Sequence, residues 1–318
     1  MMARPSKIPS EGGAMMLKLV RTAAVIASMS VLCAGDAMSA RAFMETDSRV
    51  IEIDGAKKVV VLGINGNIAI TGEEGRKDIY LKTIKSGNVE NEDEAGEIIR
   101  QMEVKVTRSG DTIKLETIYP KNFQVKRNLI AFLVKRQSGI RMDLEIVLPE
   151  EIGADVTTAS GKISISGIDA DVEADASSGD VEMRGIGGKI VSTVSAGSIG
   201  AMDIAGDADL KTLSGRIFAK NISGNVTAET ASGRMELAEI GGSLKCRIEY
   251  GTVIVDGVGD LDYRGISAEA KFVDVRGSIN ASTASGSAAF RVKPEKSVDY
   301  RITASSGDIF LRFLTLME

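Results

Sequence analysis

The chain has 318 residues, a formal net charge of −5, 34 glycines, no tryptophan and no histidine. The missing imidazole removes the usual general base, the usual metal ligand and every Ser–His or Cys–His nucleophilic pair. An acidic body without a basic stripe argues against nucleic acid as a partner.

At the amino terminus, Lys18 and Arg21 stand before an apolar run from Thr22 to Leu32, and Ala40-Arg41-Ala42 offers an A-x-A cleavage site. This order predicts residues 1–42 as a leader carrying an export signal. The run is too short to serve well as a permanent membrane span. Residues 1–14 are polar, so Met15 and Met16 compete with Met1 as the start. A lipoprotein anchored at Cys33 is the alternative to cleavage, but the residue before such a cysteine is normally small and here it is Leu32. The expected location is the periplasm or the cell exterior. Loss of the leader would leave Cys246 as the only cysteine, with no intrachain disulfide, and its place on an apolar row predicts a buried structural thiol.

Residues 43–150 hold one coil-like segment, Gly66-Asn67-Ile68-Ala69-Ile70-Thr71-Gly72, after which the pattern breaks. Glu90 to Arg100, rich in Glu, predicts one short helix. Strand-like runs follow at Met102–Thr107, Thr112–Thr117, Leu129–Val134 and Met142–Pro149. The region reads as a lobe that caps a solenoid, because an open solenoid end would expose unpaired strands. Its most uneven charge patch is Lys121 to Arg141.

From 151 to 318 the chain is repetitive. Glycine returns every nine residues from Gly179 to Gly251, and the true period is eighteen, because alternate glycines follow a small residue, as in Ser160-Gly161, Ser178-Gly179, Ser214-Gly215 and Ser232-Gly233. Apolar residues fall two and four positions after each of these glycines: Ile163 and Ile165, Val181 and Met183, Met235 and Leu237. That alternation is the strand period, with Lys162, Asp180 and Glu236 among the residues left facing solvent. Val172, Ile190, Val226 and Leu244 form a further inward row, and Ala174, Leu210, Ala228 and Cys246 another. The predicted fold is all-β, a single-stranded parallel β-helix of roughly 18-residue coils with an N-terminal capping lobe. Stacked helices are rejected, since each interior glycine would cost about 1 kcal/mol. A calcium-binding nonapeptide roll is rejected too: its aspartate slot holds Ile163, Val181, Ile199, Ile217 and Met235.

The exported leader, the first Gly-x-Ile-x-Ile coil, the interrupting lobe ending in Asp143-Leu144-Glu145-Ile146-Val147-Leu148-Pro149 and the serial Ser-Gly-x-Ile/Val units together resemble a bacterial family of putative adhesins. These are domains of otherwise unknown function with β-strand repeats, related to the GIN-type adhesin head. The resemblance implies a cell-envelope β-solenoid with a non-catalytic binding or scaffolding role and an envelope or surface protein or polysaccharide as partner. It brings no catalytic residues, metal or cofactor. An accessory protein of envelope stress or regulation, working through protein contacts, is the second reading.

A carbohydrate-active β-helix enzyme is the third, and it would draw on Asp169, Asp171, Asp175 and Asp180, with Asp203, Asp207 and Asp209 further on. Asx turns at exposed corners explain the same aspartates without catalysis. Thr157, Thr193, Ser282 and Thr303 start an outward hydroxyl row, interrupted by Asp175, Lys211, Glu229 and Arg247, which reads as a solvated face. The coil from Val258 to Asp274 is one residue short, places Glu269 where glycine is expected, and has Tyr250, Tyr263 and Arg264 near its corners. Irregular coils often carry the binding surface of a solenoid, so Tyr250, Tyr263, Arg264 and Glu269 form the candidate ligand patch.

Overall fold

The structure is a computed structural model that describes residues 42–88, 92–120, 139–292 and 298–313. The leader, Cys33 and most of the basic stretch from Lys121 lie outside the described residues, as does the run predicted as a strand at Leu129–Val134. The molecule is 75% strand and about 3% helix, wound into a parallel β-solenoid of about nine turns.

The amino-terminal part contains β1 (Ala42–Glu52), β2 (Lys58–Asn65), β3 (Ile68–Glu73), β4 (Asp78–Asn88), α1 (Glu92–Gln101), β5 (Glu103–Ser109), β6 (Thr112–Ile118) and β7 (Arg141–Pro149). The coils follow as β8 (Gly153–Ser160) with β9 (Ile163–Ile168), β10 (Val172–Ser178) with β11 (Val181–Ile186), and β12 (Ile190–Ala196) with β13 (Ile199–Ile204). The strands β14 (Ala208–Ile222), β15 (Val226–Ile240), β16 (Leu244–Val258) and β17 (Leu261–Val275) each run through a corner without interruption. The last coils are β18 (Ile279–Ser285) with β19 (Ala288–Val292) and β20 (Tyr300–Ser306) with β21 (Ile309–Phe313).

Each coil contributes one segment to each of two parallel stacks. The first stack runs from β2 through β8, β10 and β12, then the first halves of β14 to β17, to β18 and β20. The second runs from β3 through β9, β11 and β13 and the second halves to β19 and β21. The lobe closes the amino-terminal end by lengthening both stacks: β6 pairs with β2 and β5 with β6, while β7 pairs with β3, β4 with β7 and β1 with β4. The strands β1 and β4 carry no repeat signature and were not expected from the sequence. The helix α1 packs against this antiparallel pair.

Between the stacks the inward rows form a continuous core. Val172, Ile190, Val226 and Leu244 are buried on one row, Ala174, Leu210, Ala228 and Cys246 on the next, and Ile163, Val181, Ile199, Ile217 and Met235 on a third. The third row is the one that would hold calcium in a nonapeptide roll, and here it is apolar interior. Each such Ile, Val or Leu contributes about 1.5–3 kcal/mol relative to exposure. Cys246 has its Sγ 3.4 Å from the Met235 Sδ, and burial pushes its thiol pKa up to about 12.

The Ser-Gly corner favours glycine, and one coil alone, that of Ala268, departs from it among the stacked coils from Gly161 to Gly307. Gly179, Gly197, Gly215 and Gly233 have φ between +132° and +150°, and a Cβ on Gly215 would stand 1.9 Å from the carbonyl oxygen of Gly197 one coil below. Buried hydroxyls close the same corner: Thr158 donates to the carbonyl of Ser160, and Thr230 to that of Ser232.

The short coil is short in its entry turn. Three residues, Gly241 to Ser243, connect β15 to β16, but only Gly259 and Asp260 connect β16 to β17. Every residue of β17 is therefore shifted by one relative to an eighteen-residue count, and a shift of one exchanges the inward and outward faces of a strand. Tyr263 pairs with Cys246 and lies in the core, and Ala268 pairs with Gly251. Ala268, not Glu269, occupies the glycine place; Glu269 sits opposite Thr252 on the outer surface.

Candidate functional site

The outward row of the first stack reads Thr157, Asp175, Thr193, Lys211, Glu229, Arg247, Arg264, Ser282 and Thr303, each opposite the next across adjacent coils. It is the hydroxyl row of the sequence, with its charged members grouped towards the middle. Two to three residues further along each strand, at the corner, both positions are exposed, apart from the half-buried Ala231. One column there changes from Ser177 and Ser195 to Leu213, Ala231, Glu249 and Ile266. Where large side chains enter this column and charges enter the row, the surface between them becomes an open cleft of about 510 Å³ spanning β12 to β17.

Leu213 is 64% exposed and Ile266 49%, high values for aliphatic side chains standing over a cleft. The cleft is electrostatically mixed. Glu229 bonds Arg247 at 3.0 Å, and Lys211 turns aside to Asp209 at 3.2 Å. Among the described residues Arg264 has only the looser Asp262 contact, at 3.8 Å, and its side chain stays 59% exposed.

The four residues of the candidate patch separate. Arg264 lines the cleft. Tyr250, 55% exposed, stands next to Glu249 in the corner column, opposite Ser232 and Ser267. Glu269 is exposed on the far side of the corner. Tyr263 belongs to the core, where its ring meets Phe272 edge-on at 4.9 Å between centroids and burial raises its phenol pKa. It cannot contact a ligand at the surface. Sequence counting missed Leu213 and Ile266; the signal was available as bulky aliphatic residues in a column otherwise small or polar.

Five of the seven aspartates of the enzyme reading bond the next coil. Oδ1 of Asp171, Asp175, Asp180 and Asp207 accepts the backbone N–H of Lys189, Thr193, Ser198 and Asn225 respectively, each 18 residues on, at 2.7–2.9 Å. Asp203 accepts from the Asn221 amide at 2.8 Å. These side chains fasten one coil to the next, Asp175 from within β10 and Asp171, Asp180 and Asp207 at corners beyond the strand ladder. Among the described residues no group of three or more Cys, Asp or Glu could hold a metal ion.

The Toastrack DUF4097 family model matches residues 59–318, from the start of the first coil through the lobe and all later coils. The chain belongs to this family. No curated protein matches it. Similar solved structures include a putative cell adhesion protein from Clostridium sporogenes, 16% identical, covering 86% of this chain and 100% of its own, with a TM-score of 0.25. A putative adhesin from Bacteroides fragilis is 15% identical over 85% of this chain and 97% of its own, with a TM-score of 0.37. A putative lipid binding protein from Parabacteroides distasonis is 14% identical over the same shares, with a TM-score of 0.42. The Toastrack assignment agrees with the resemblance carried by the Ser-Gly units.

Proposed function

We propose that this Toastrack protein is exported to the cell envelope and acts there as a non-catalytic binding or scaffold module. The observation that carries this reading is the cleft over β12–β17, which is built from side chains of five consecutive coils on a rigid face and is open along its length. Such a surface spreads affinity over many weak contacts and suits an extended partner. The fastening role of Asp171, Asp175, Asp180 and Asp207 supports a non-enzymatic role, because their oxygens serve the backbone of the next coil.

Incubation of the purified chain with fractionated cell envelope, followed by mass spectrometry of the retained material, tests the proposal. Retention of a defined polymer or surface protein without its breakdown supports a binding module. Recovery of a single membrane protein without glycan would favour the accessory-protein role, and release of cleaved sugars would overturn the non-catalytic reading.

A further inference from the structure

The ligand class of the cleft follows from what surrounds it. The strands β12 to β17 are paired on both sides within their stack, so no free N–H or C=O row is available there for a peptide to add as a further strand. Recognition must come from side chains. Those side chains form a row about 4.8 Å apart along the solenoid axis, so five coils give a wall of roughly 19 Å. Over that length the wall offers two guanidinium groups on adjacent coils, Arg247 and Arg264, beside the exposed aliphatic surface of Leu213 and Ile266. Tyr250 adds an exposed ring on the neighbouring column.

We propose that this cleft binds an anionic polysaccharide laid along the solenoid axis. The proposal rests on the binding-module reading and specifies its ligand. Sugar rings present C–H faces that pack on Leu213, Ile266 and Tyr250, while their acid groups meet the planar donor forks of Arg264 and Arg247. Arg264 is the stronger anchor, since Arg247 already shares Glu229. Glu229 and Glu249 in the same wall make the cleft a poor match to a uniformly anionic membrane surface. They favour a chain whose charges are spaced. With a net charge of −5 on the whole chain, attraction of an acid is local to the cleft and weakens with salt.

The test is affinity electrophoresis of the full chain in gels containing polygalacturonate, dextran sulfate or neutral dextran. The expected result is retardation by at least one acidic polymer, weakened by salt, and none by dextran. Carboxylate and sulfate sources are separated by the first two gels. Arg264→Glu is expected to weaken binding about tenfold, the scale of one charge-assisted hydrogen-bonded pair. Arg264→Lys retains part of it. Lys271→Glu makes the same charge change on the same strand but on the other stack, and is expected to leave binding intact. Equal retardation by dextran, no effect of Arg264→Glu, or equal loss with Lys271→Glu would each overturn the proposal. Envelope retention without binding to either acidic polymer would remove the polysaccharide while leaving the binding module standing. Failure of both would remove both.

Discussion

The hydroxyl of Tyr263 lies against the α-carbon of Gly265, so close that a Cβ there would stand 2.2 Å from it. Gly265 is in the inward row with Ile248 and Thr283 and supplies the space that a phenol needs in a core of aliphatic width. The hydroxyl has no hydrogen-bond partner among the described residues. Tyr263→Phe is therefore expected to leave stability unchanged or raise it by up to about 1 kcal/mol, since it removes a buried polar group with nothing to bond. Gly265→Ala is expected to cost about 1–3 kcal/mol through overpacking. Denaturant unfolding of both variants checks this, and a clear loss in Tyr263→Phe would mean that the hydroxyl has a partner after all.

The glycine column predicts a contrast between two substitutions that look alike in sequence. Gly215→Ala places a methyl 1.9 Å from the Gly197 carbonyl oxygen at a φ of +150°, and the obstacle is backbone. A Cβ there requires both coils to shift locally against the ladder on either side, so a loss of about 2–4 kcal/mol is expected. Gly200→Ala on β13 meets nothing nearer than 3.7 Å. Its expected effect is neutral to slightly stabilising, because alanine restricts the unfolded chain. Thermal unfolding of the pair gives the comparison, and similar melting temperatures would contradict the column's role.

Much of this fold was legible because two periods coincide in it. Strand alternation placed Val181 and Met183 inward, and the eighteen-residue repeat stacked them on Ile163 and Ile165. Counting failed where the repeat lost a residue outside the strands. With Gly259 and Asp260 alone in the turn, Tyr263 and Glu269 each fell one place from their expected positions, which exchanged surface for core in the first case. The pairing of β1 with β4 was invisible for a different reason: antiparallel neighbours far apart in sequence share no repeat that reveals their register. The cleft was half legible. Arg264 and the interrupted row were noticed, but a charged outward row has the same pattern as an ordinary solvated face, and only the stacking of Leu213 and Ile266 beside it makes a cavity.

The aspartate fasteners give a third contrast. Asp180 accepts the N–H of Ser198 at 2.8 Å from one coil below. Asp180→Ala leaves that donor to solvent and is expected to cost about 0.5–1.5 kcal/mol, whereas Asp180→Asn keeps an acceptor oxygen and most of the stability. Equal losses for the two variants in a denaturant titration would show that charge, not the hydrogen bond, is what matters at this corner.

Glu236 should make the molecule sensitive to acid. Burial acts to raise its pKa, but hydrogen bonds from Arg216 and Arg234 outweigh this and hold the carboxyl below its ordinary value. Arg216 and Arg234 are opposite one another on β14 and β15, so Glu236 separates two like charges one coil apart. A depressed pKa in the folded state means that the unfolded chain binds the proton more readily. The contribution is then present above the unfolded value and is lost as pH falls through the folded one. The carboxylate is half-buried at the surface and still reached by solvent, so screening weakens the effect and it is best sought at low ionic strength. Glu236→Gln is expected to flatten the stability profile on the acid side and to leave a chain that salt stabilises, because screening relieves the exposed arginine pair. Unfolding midpoints across pH 3 to 6, the range in which carboxylates titrate to within about a unit or two of their ordinary values, decide the matter: a Gln variant with an unchanged acid limb would show that the triad contributes nothing to folding.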